Sequence, residues 1–228
     1  MTPGLFPEDD SPLDMLAHEA QAARRGCRAI AGVDEAGRGP LAGPVVAAAV
    51  ILPAGLILPG VDDSKKLTAA MREKLFEVIS REAISVGVGI GDHELIDRIN
   101  ILQATLRAMR DAVESLIPNP DFLLIDGISN IPINTPQKTV KQGDSLSISI
   151  AAASIIAKVT RDRMMNEYDL LYPGYGFASH KGYGAASHLA AIAELGPSPI
   201  HRRSFGGVKE HLAPAPTTPS AESGTFSF

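Results

Sequence analysis

The chain has no tryptophan, a single cysteine, and only four tyrosines and seven phenylalanines among 228 residues. With Cys27 alone there is no internal disulfide, which fits a reducing compartment such as the cytoplasm. Cys27 has no local histidine partner and opens the first strand-like run, so its expected place is the interior rather than a nucleophilic site. No apolar run is long enough to cross a bilayer, and the N-terminal MTPGLFPEDD is acidic, so neither membrane insertion nor export is expected. Cys/His clusters of zinc spacing are missing, as is a G-x-x-x-x-G-K-[ST] phosphate loop. Basic residues do not dominate either. A net charge of −5 argues mildly against a general nucleic-acid binder, although bound cations can neutralise acids and local distribution counts for more.

What is present suffices for one large domain: 45% apolar and 21% charged residues are ordinary for a globular chain. Residues 1–12 are rich in Pro and Asp and read as frayed, and Leu13–Arg25 has helical spacing, so 1–27 forms a helical lead-in. Strands are expected at Arg28–Glu35 and Val45–Leu52, then a loop through Asp62-Asp63-Ser64-Lys65-Lys66. Thr68 is placed to cap a helix over Ala69–Glu82, with Met71, Leu75, Val78 and Ile79 on its buried face. Ile84–Ile90 (ISVGVGI) alternates with period two, as a strand does. Asp92 caps a short helix to Asp97, and a second spans Ile101–Ile117 with Leu102, Leu106, Met109, Val113 and Leu116 on its apolar stripe. Two short strands, Phe122–Ile125 and Lys138–Lys141, precede the longest helix, Ser147–Tyr172. There Met164 is expected inside and Lys158, Arg161, Asp162 and Arg163 along polar sides. A helix over Ala185–Leu195 follows the SHKGYG loop, and 213–228 reads as a disordered Pro/Ser/Thr-rich tail. This order indicates an α/β domain around a mixed sheet over residues 28–212.

The chain is organised around Ala31–Leu52. An apolar strand ends in Asp34-Glu35, and a bend of Gly37-Arg38-Gly39-Pro40 and Gly43-Pro44 follows. Asp126 ends a later strand, and Asp144 precedes the long helix. Acids arriving from separate segments at one sheet edge repel unless a cation neutralises them, and carboxylate oxygens suit Mg²⁺ or Mn²⁺. Taken singly, Asp126 and Asp144 are also ordinary turn and cap residues. Neighbours on a regular strand point to opposite faces, so Asp34 and Glu35 share a site only if the chain bends between or just after them. A dinucleotide-binding reading of the glycines fails: the spacing is G-x-G-x-x-x-G, and a strand follows where a helix N-terminus is required.

These motifs together resemble one family. DEAGRGPLAGPV (34–45), the apolar run ending in Asp126-Gly127, Gly143-Asp144, SIAAASIIAKVTRDR (149–163) and HKGYG (180–184) are similar to the signatures of ribonuclease HII. The match runs from about Ile30 to Phe205. It implies an α/β ribonuclease H-like fold, a central mixed sheet flanked by helices with a C-terminal helical extension. It further implies an endoribonuclease that cuts RNA in RNA–DNA hybrids and 5′ to single ribonucleotides in duplex DNA, leaving a 3′-hydroxyl. Asp34, Glu35, Asp126 and Asp144 would hold two Mn²⁺ or Mg²⁺ ions. The backbone of Gly37, Arg38 and Gly39 would contact the ribose 2′-hydroxyl, and Tyr183 would stack at the following deoxyribose. Ser64, Lys65, Lys66, Lys181 and Arg202 would line the substrate groove.

The pattern departs from the family at Gln142 and Leu146, which replace basic residues, and at Ala185, which replaces a threonine. Local phosphate contacts are affected there, not the acids. A monomer is expected, and the tail ending in Thr225-Phe226-Ser227-Phe228 has the character of a sliding-clamp-binding peptide. Two other classes stay open on the residues alone: a binding module that lost catalysis, and a DNA junction resolvase of the same fold.

Overall fold

The computed structural model describes residues 14–61 and 67–212. Five strands form one sheet in the order β3-β2-β1-β4-β5. Strands β1 (Ile30–Ala36), β2 (Val45–Ile51) and β3 (Ser85–Gly91) form an antiparallel meander, and β4 (Phe122–Asp126) and β5 (Gln137–Val140) add on parallel to β1. Every residue of β2 is buried, because helices cover both faces of the sheet. The long helix α4 (Ile148–Leu171) lies on one face with α2 (Ala69–Glu82) beside it, and α3 (His93–Glu114) covers the other. No helix among the described residues is long and apolar enough to cross a membrane.

The pleat sorts β1 between these layers. Ala31 and Val33 join the α3-side core, while Gly32 faces α4. A Cβ on Gly32 would stand 2.0 Å from the Ser149 carbonyl carbon, so α4 rests directly on the strand backbone. The expected period-two pattern of β3 is present, with the glycines on its buried side. Gly87, Gly89 and Gly91 point inward, whereas Val88 and Ile90 are exposed. The cause is close approach by α3: a Cβ would meet Ala112 O at 2.1 Å from Gly87 and Ala108 O at 2.0 Å from Gly89.

Thr68 and Asp92 cap their helices as expected, through Met71 N and Leu95 N. The two helices expected after Asp92 are present within the α3 span, separated by a break at Asn100 (φ 69°), whose side chain caps the second through Gln103 N. Several assignments of face need correction. Met71 and Leu102 are exposed, because each lies at the outer margin of its helix stripe. Met165, not Met164, is the buried methionine of α4. Cys27 is only half-buried: it precedes β1 and lines a cavity of about 360 Å³ under α1 (Ala17–Ala23). Helix α1 is shorter than the periodicity suggested, yet it is fastened to the domain. Glu19 Oε1 accepts hydrogen bonds from the Ser147 and Ser149 hydroxyls and the Ser149 amide at the start of α4. The expected frayed start and disordered tail lie outside the described residues.

Beyond α4 come α5 (Phe177–His180) and α6 (Ala186–Leu195). Phe177 of α5 packs with Ala42, Met165 and Ile200 into a small separate core that backs the bend after β1, and His188 of α6 stands edge-on to Phe177.

Candidate active site

Strand register brings the acids together. β1 and β4 run parallel with Val33 opposite Ile125, so one step further Asp34 stands abreast of Asp126. Leu124 packs on the α4 side with Ile150, which puts Asp126 two residues on, and Asp34 likewise, on the α4 face. Glu35 belongs to the α3 face. It nonetheless lines the same cleft as Asp34 and Asp126, because the strand ends one residue later and the chain turns at Gly37 with φ 94°. The required bend thus comes just after the pair.

This cleft, about 230 Å³, is lined by Asp34, Glu35, Asp126, the Gly37–Gly39 turn, Ser154, Lys158, Arg161 and Tyr183. Glu35 also borders a second cleft of about 320 Å³ formed with Leu102, Leu106, Met109 and Ile128. Asp34 is buried and accepts a 2.7 Å hydrogen bond from the Glu35 amide. Burial pushes its carboxyl well above the usual range, and the charges of Glu35 and Asp126 push it further, against the opposing hydrogen bonds from Ser154 and the Glu35 amide. Asp126 Oδ1 accepts from Gly143 N at 2.7 Å, which seats the 3-10 turn Gly143–Ser145 against the end of β4. Asp144 is buried in that turn, next to the site without lining the cleft.

Among the described residues, no three acidic, histidine or cysteine side chains stand close enough to enclose an ion as they lie. The donor set still fits a hard divalent cation. It is all oxygen, it is open on one side, and it concentrates like charge around a buried carboxylate whose raised proton affinity reports that strain.

The other expected site residues divide. Gly37 and Gly39 form the lip of the cleft, and a Cβ on Gly39 would stand 3.6 Å from Tyr183 Cε1, so the tyrosine ring flanks the turn. Tyr183 is about half exposed, as a stacking residue must be. The Arg38 side chain projects to solvent and reaches Glu35 at 3.2 Å. The Lys181 ammonium is engaged by Asn166 Oδ1 and Ala178 O and is held away from the cleft lining. Ser64, Lys65 and Lys66 lie outside the described residues.

Arg202 is the clear correction. It is fully buried, and its guanidinium donates to Gly43 O (3.0 Å), Arg38 O (2.9 Å) and Gly37 O (2.6 Å), so it supports the turn from behind. Arg161, expected on a polar side of α4, is buried too. It donates to Pro44 O (2.9 Å), Lys181 O (3.0 Å) and Ala42 O (3.2 Å). Burial lowers both, to about 10 for Arg161 and about 9 for Arg202, and leaves each charged at neutral pH.

Ser154 was not singled out in the sequence. The signal was there: Ser154, Lys158 and Arg161 are spaced by four and three along an otherwise small and apolar helix face. His188 was not singled out either, and His201, expected with Arg202 and Arg203 as a candidate phosphate contact, is buried. His188 Nδ1 meets Tyr183 O at 2.8 Å, and its Nε2 lies 3.0 Å from His201 Nε2. His201 Nδ1 in turn accepts from Ser198 N at 2.8 Å. Since a carbonyl can only accept, His188 carries its proton on Nδ1. His201 must then donate from Nε2, so both rings are neutral.

The chain matches the Ribonuclease HII family over residues 31–208. It is 74% identical over 228 residues to ribonuclease HII of Citrifermentans bemidjiense, covering 99% of both chains. Its structure is similar to that of ribonuclease H2 from Pyrococcus horikoshii (TM-score 0.68, 28% identity, 80% of this chain and 96% of the other). It is also similar to the RNase HII in a PCNA:RNase HII complex from Archaeoglobus fulgidus (TM-score 0.67, 26% identity, 78% and 96%). With acids, glycine turn and tyrosine meeting in one cleft, and with a family match across most of its length, the chain belongs to the ribonuclease HII family.

Proposed function

We propose that this chain is an endoribonuclease that hydrolyses the RNA strand of RNA–DNA hybrids and cuts 5′ to single ribonucleotides embedded in duplex DNA, leaving a 3′-hydroxyl. One observation carries the reading. Three carboxylates, a glycine-flanked turn and a half-exposed tyrosine line a single cleft at the carboxyl end of β1 and β4. Acids alone would suit many phosphodiesterases. The turn beside them supplies a way to sense a 2′-hydroxyl, the group that separates RNA from DNA at a given position.

Asp34, Glu35, Asp126 and Asp144 are the residues that would hold Mg²⁺ or Mn²⁺, two ions when substrate is bound. Such ions supply a deprotonated water and charge compensation at the leaving oxygen. The chain's residues do the rest. Ser154 and the Glu35 amide orient the Asp34 carboxylate, and the Gly143 amide orients Asp126. Gly39 admits the ribose edge without a Cβ in the way, the missing Cβ of Gly37 makes room for Arg161 behind the turn, and Tyr183 stacks on the neighbouring sugar. The work assigned to this chemistry is removal of misincorporated ribonucleotides and RNA primers by a monomer, over a catalytic unit of residues 28–212. The tail is assigned to a sliding-clamp contact, a reading supported by the PCNA complex of the A. fulgidus relative.

The test is a labelled DNA duplex containing one ribonucleotide, incubated with Mg²⁺, Mn²⁺ or EDTA beside an all-DNA duplex. Metal-dependent cutting at the ribonucleotide alone is expected. Cutting of both duplexes would make the chain a junction-type nuclease, and binding without cutting would make it an inactive module.

A further inference from the structure

The cleft's specificity elements come from two distant segments, the turn after β1 and the loop before α6, and both are held from behind by buried side chains. Arg202 binds the carbonyls of Gly37 and Arg38. A trans peptide points its N–H opposite its C=O, so the N–H groups of Arg38 and Gly39 are turned away from Arg202. Among the described residues, neither N–H meets an acceptor. Arg161 bridges the two segments, donating to Ala42 O and Pro44 O in the turn and to Lys181 O beside Tyr183. The Leu41 amide repeats that bridge on Gly182 O, and His188 holds the carbonyl of Tyr183 itself. Among the described residues neither guanidinium has a carboxylate within ion-pair distance; backbone carbonyls solvate both, and Arg202 also lies over the Phe205 ring at 5.1 Å.

This arrangement is unusual in its choice of partners. A buried arginine ordinarily pairs with a carboxylate, and acids stand nearby in the same cleft. Here both forks grip backbone oxygens of one eight-residue turn. A lysine would keep the charge, but its single nitrogen cannot span carbonyls that the planar fork reaches together. We infer that Arg161 and Arg202 are positioning residues for ribonucleotide selectivity: they hold the turn so that the Arg38 and Gly39 N–H groups face the substrate at a set distance from the Tyr183 ring.

The inference rests on the functional reading above and is tested separately from it. Arg161→Lys and Arg202→Lys are compared with the unaltered chain for binding, in EDTA, to a duplex with one ribonucleotide and to the all-DNA duplex. Loss of several buried hydrogen bonds predicts about a ten-fold or greater fall in the ratio of the two affinities, with all-DNA binding little changed. A merely structural role would weaken both duplexes alike. In the unaltered chain, the Arg38 and Gly39 amides should exchange rapidly with solvent and shift on adding the ribonucleotide duplex, but not the all-DNA one. This decides the matter if the lysine variants do not fold. An unchanged affinity ratio in a folded variant, or amides indifferent to the ribonucleotide, overturns the inference while cutting by the unaltered chain upholds the function. Absence of cutting by the unaltered chain removes the functional reading instead.

Discussion

Replacing Asp34 by Asn should make the protein more stable and inactive. Asp34 and Asp126 stand abreast near the ends of neighbouring parallel strands, on the same face of the sheet. Strands lie about 4.8 Å apart, and two carboxylates at about 5 Å repel by roughly 3 kcal/mol at an effective dielectric near 20. Partial protonation already relieves some of this in the metal-free protein, so the net gain from Asn is about 1–3 kcal/mol. For a chain of this size, that raises the melting temperature by roughly 2–10 °C. Asn retains an oxygen that can accept from the Glu35 amide, so the local hydrogen bond survives.

The pH dependence carries a sign. The Asp34 carboxyl binds its proton more tightly in the folded state than its ordinary value of 3.8 implies. Its contribution to stability is therefore complete below that value and is lost as pH rises through the raised one. The advantage of Asp34→Asn is small near pH 4 and widens with rising pH. Mn²⁺ or Mg²⁺ should stabilise the unaltered protein, by about 2.7 kcal/mol at a hundred-fold excess over Kd, and stabilise the variant less. Thermal melts across pH, with and without metal, read all of this. If Asp34→Asn melts no higher than the parent at pH 8, and metal shifts both equally, the acids do not form the strained, ion-seeking cluster argued for.

Other perturbations probe the surrounding structure. Gly32→Ala forces a Cβ into the first turn of α4, and an overpacking penalty of about 3 kcal/mol or more should lower the melting temperature by roughly 6–12 °C, read by calorimetry. His201 is held near 4, chiefly by burial and then by His188, so the unfolded chain takes up a proton there first as pH falls. Stability full above pH 6.5 should decline by up to about 3 kcal/mol towards pH 4, and His201→Gln should flatten that part of the denaturant profile relative to the parent. Tyr183→Ala should weaken binding of the ribonucleotide duplex by about ten-fold, a stack being worth roughly 1–3 kcal/mol, and Tyr183→Phe should restore most of it in a fluorescence titration. Removing residues 213–228 should leave cutting of short duplexes unchanged while abolishing retention on an immobilised sliding clamp.

The readable parts of the fold are those governed by local chemistry. Thr68 and Asp92 announce their helices because a cap acts within three residues, and the ends of β2 and β4 follow from their apolar runs. What alternation cannot supply is polarity. In ISVGVGI it is the glycines that turn inward, because α3 approaches too closely for any side chain. Arg161 and Arg202 were misplaced for a related reason. Arginine reads as a surface residue until a tertiary fold offers enough bare carbonyls to receive it, and those carbonyls belong to a turn over a hundred residues away. The acids were legible as residues but not as a geometry. That Asp34 and Glu35 serve one cleft from opposite faces depends on where β1 stops, and only the three-dimensional turn at Gly37 sets that point.

The two buried arginines also bear on why the acids remain available. Had either guanidinium paired directly with Asp34 or Asp126, it would occupy oxygens of that carboxylate. Instead both guanidinium groups are engaged by backbone carbonyls of the glycine turn. Carbonyls of the turn face the arginines, and its Arg38 and Gly39 amides, which meet no acceptor among the described residues, border the cleft that the carboxylates line. On the functional reading proposed above, the two sets would be complementary on the same side: the acids for a cation, the amides for a hydroxyl or phosphate oxygen. An RNA strand carrying divalent ions meets both at once. On this argument, ion and substrate binding should reinforce each other, because either alone leaves one demand unanswered.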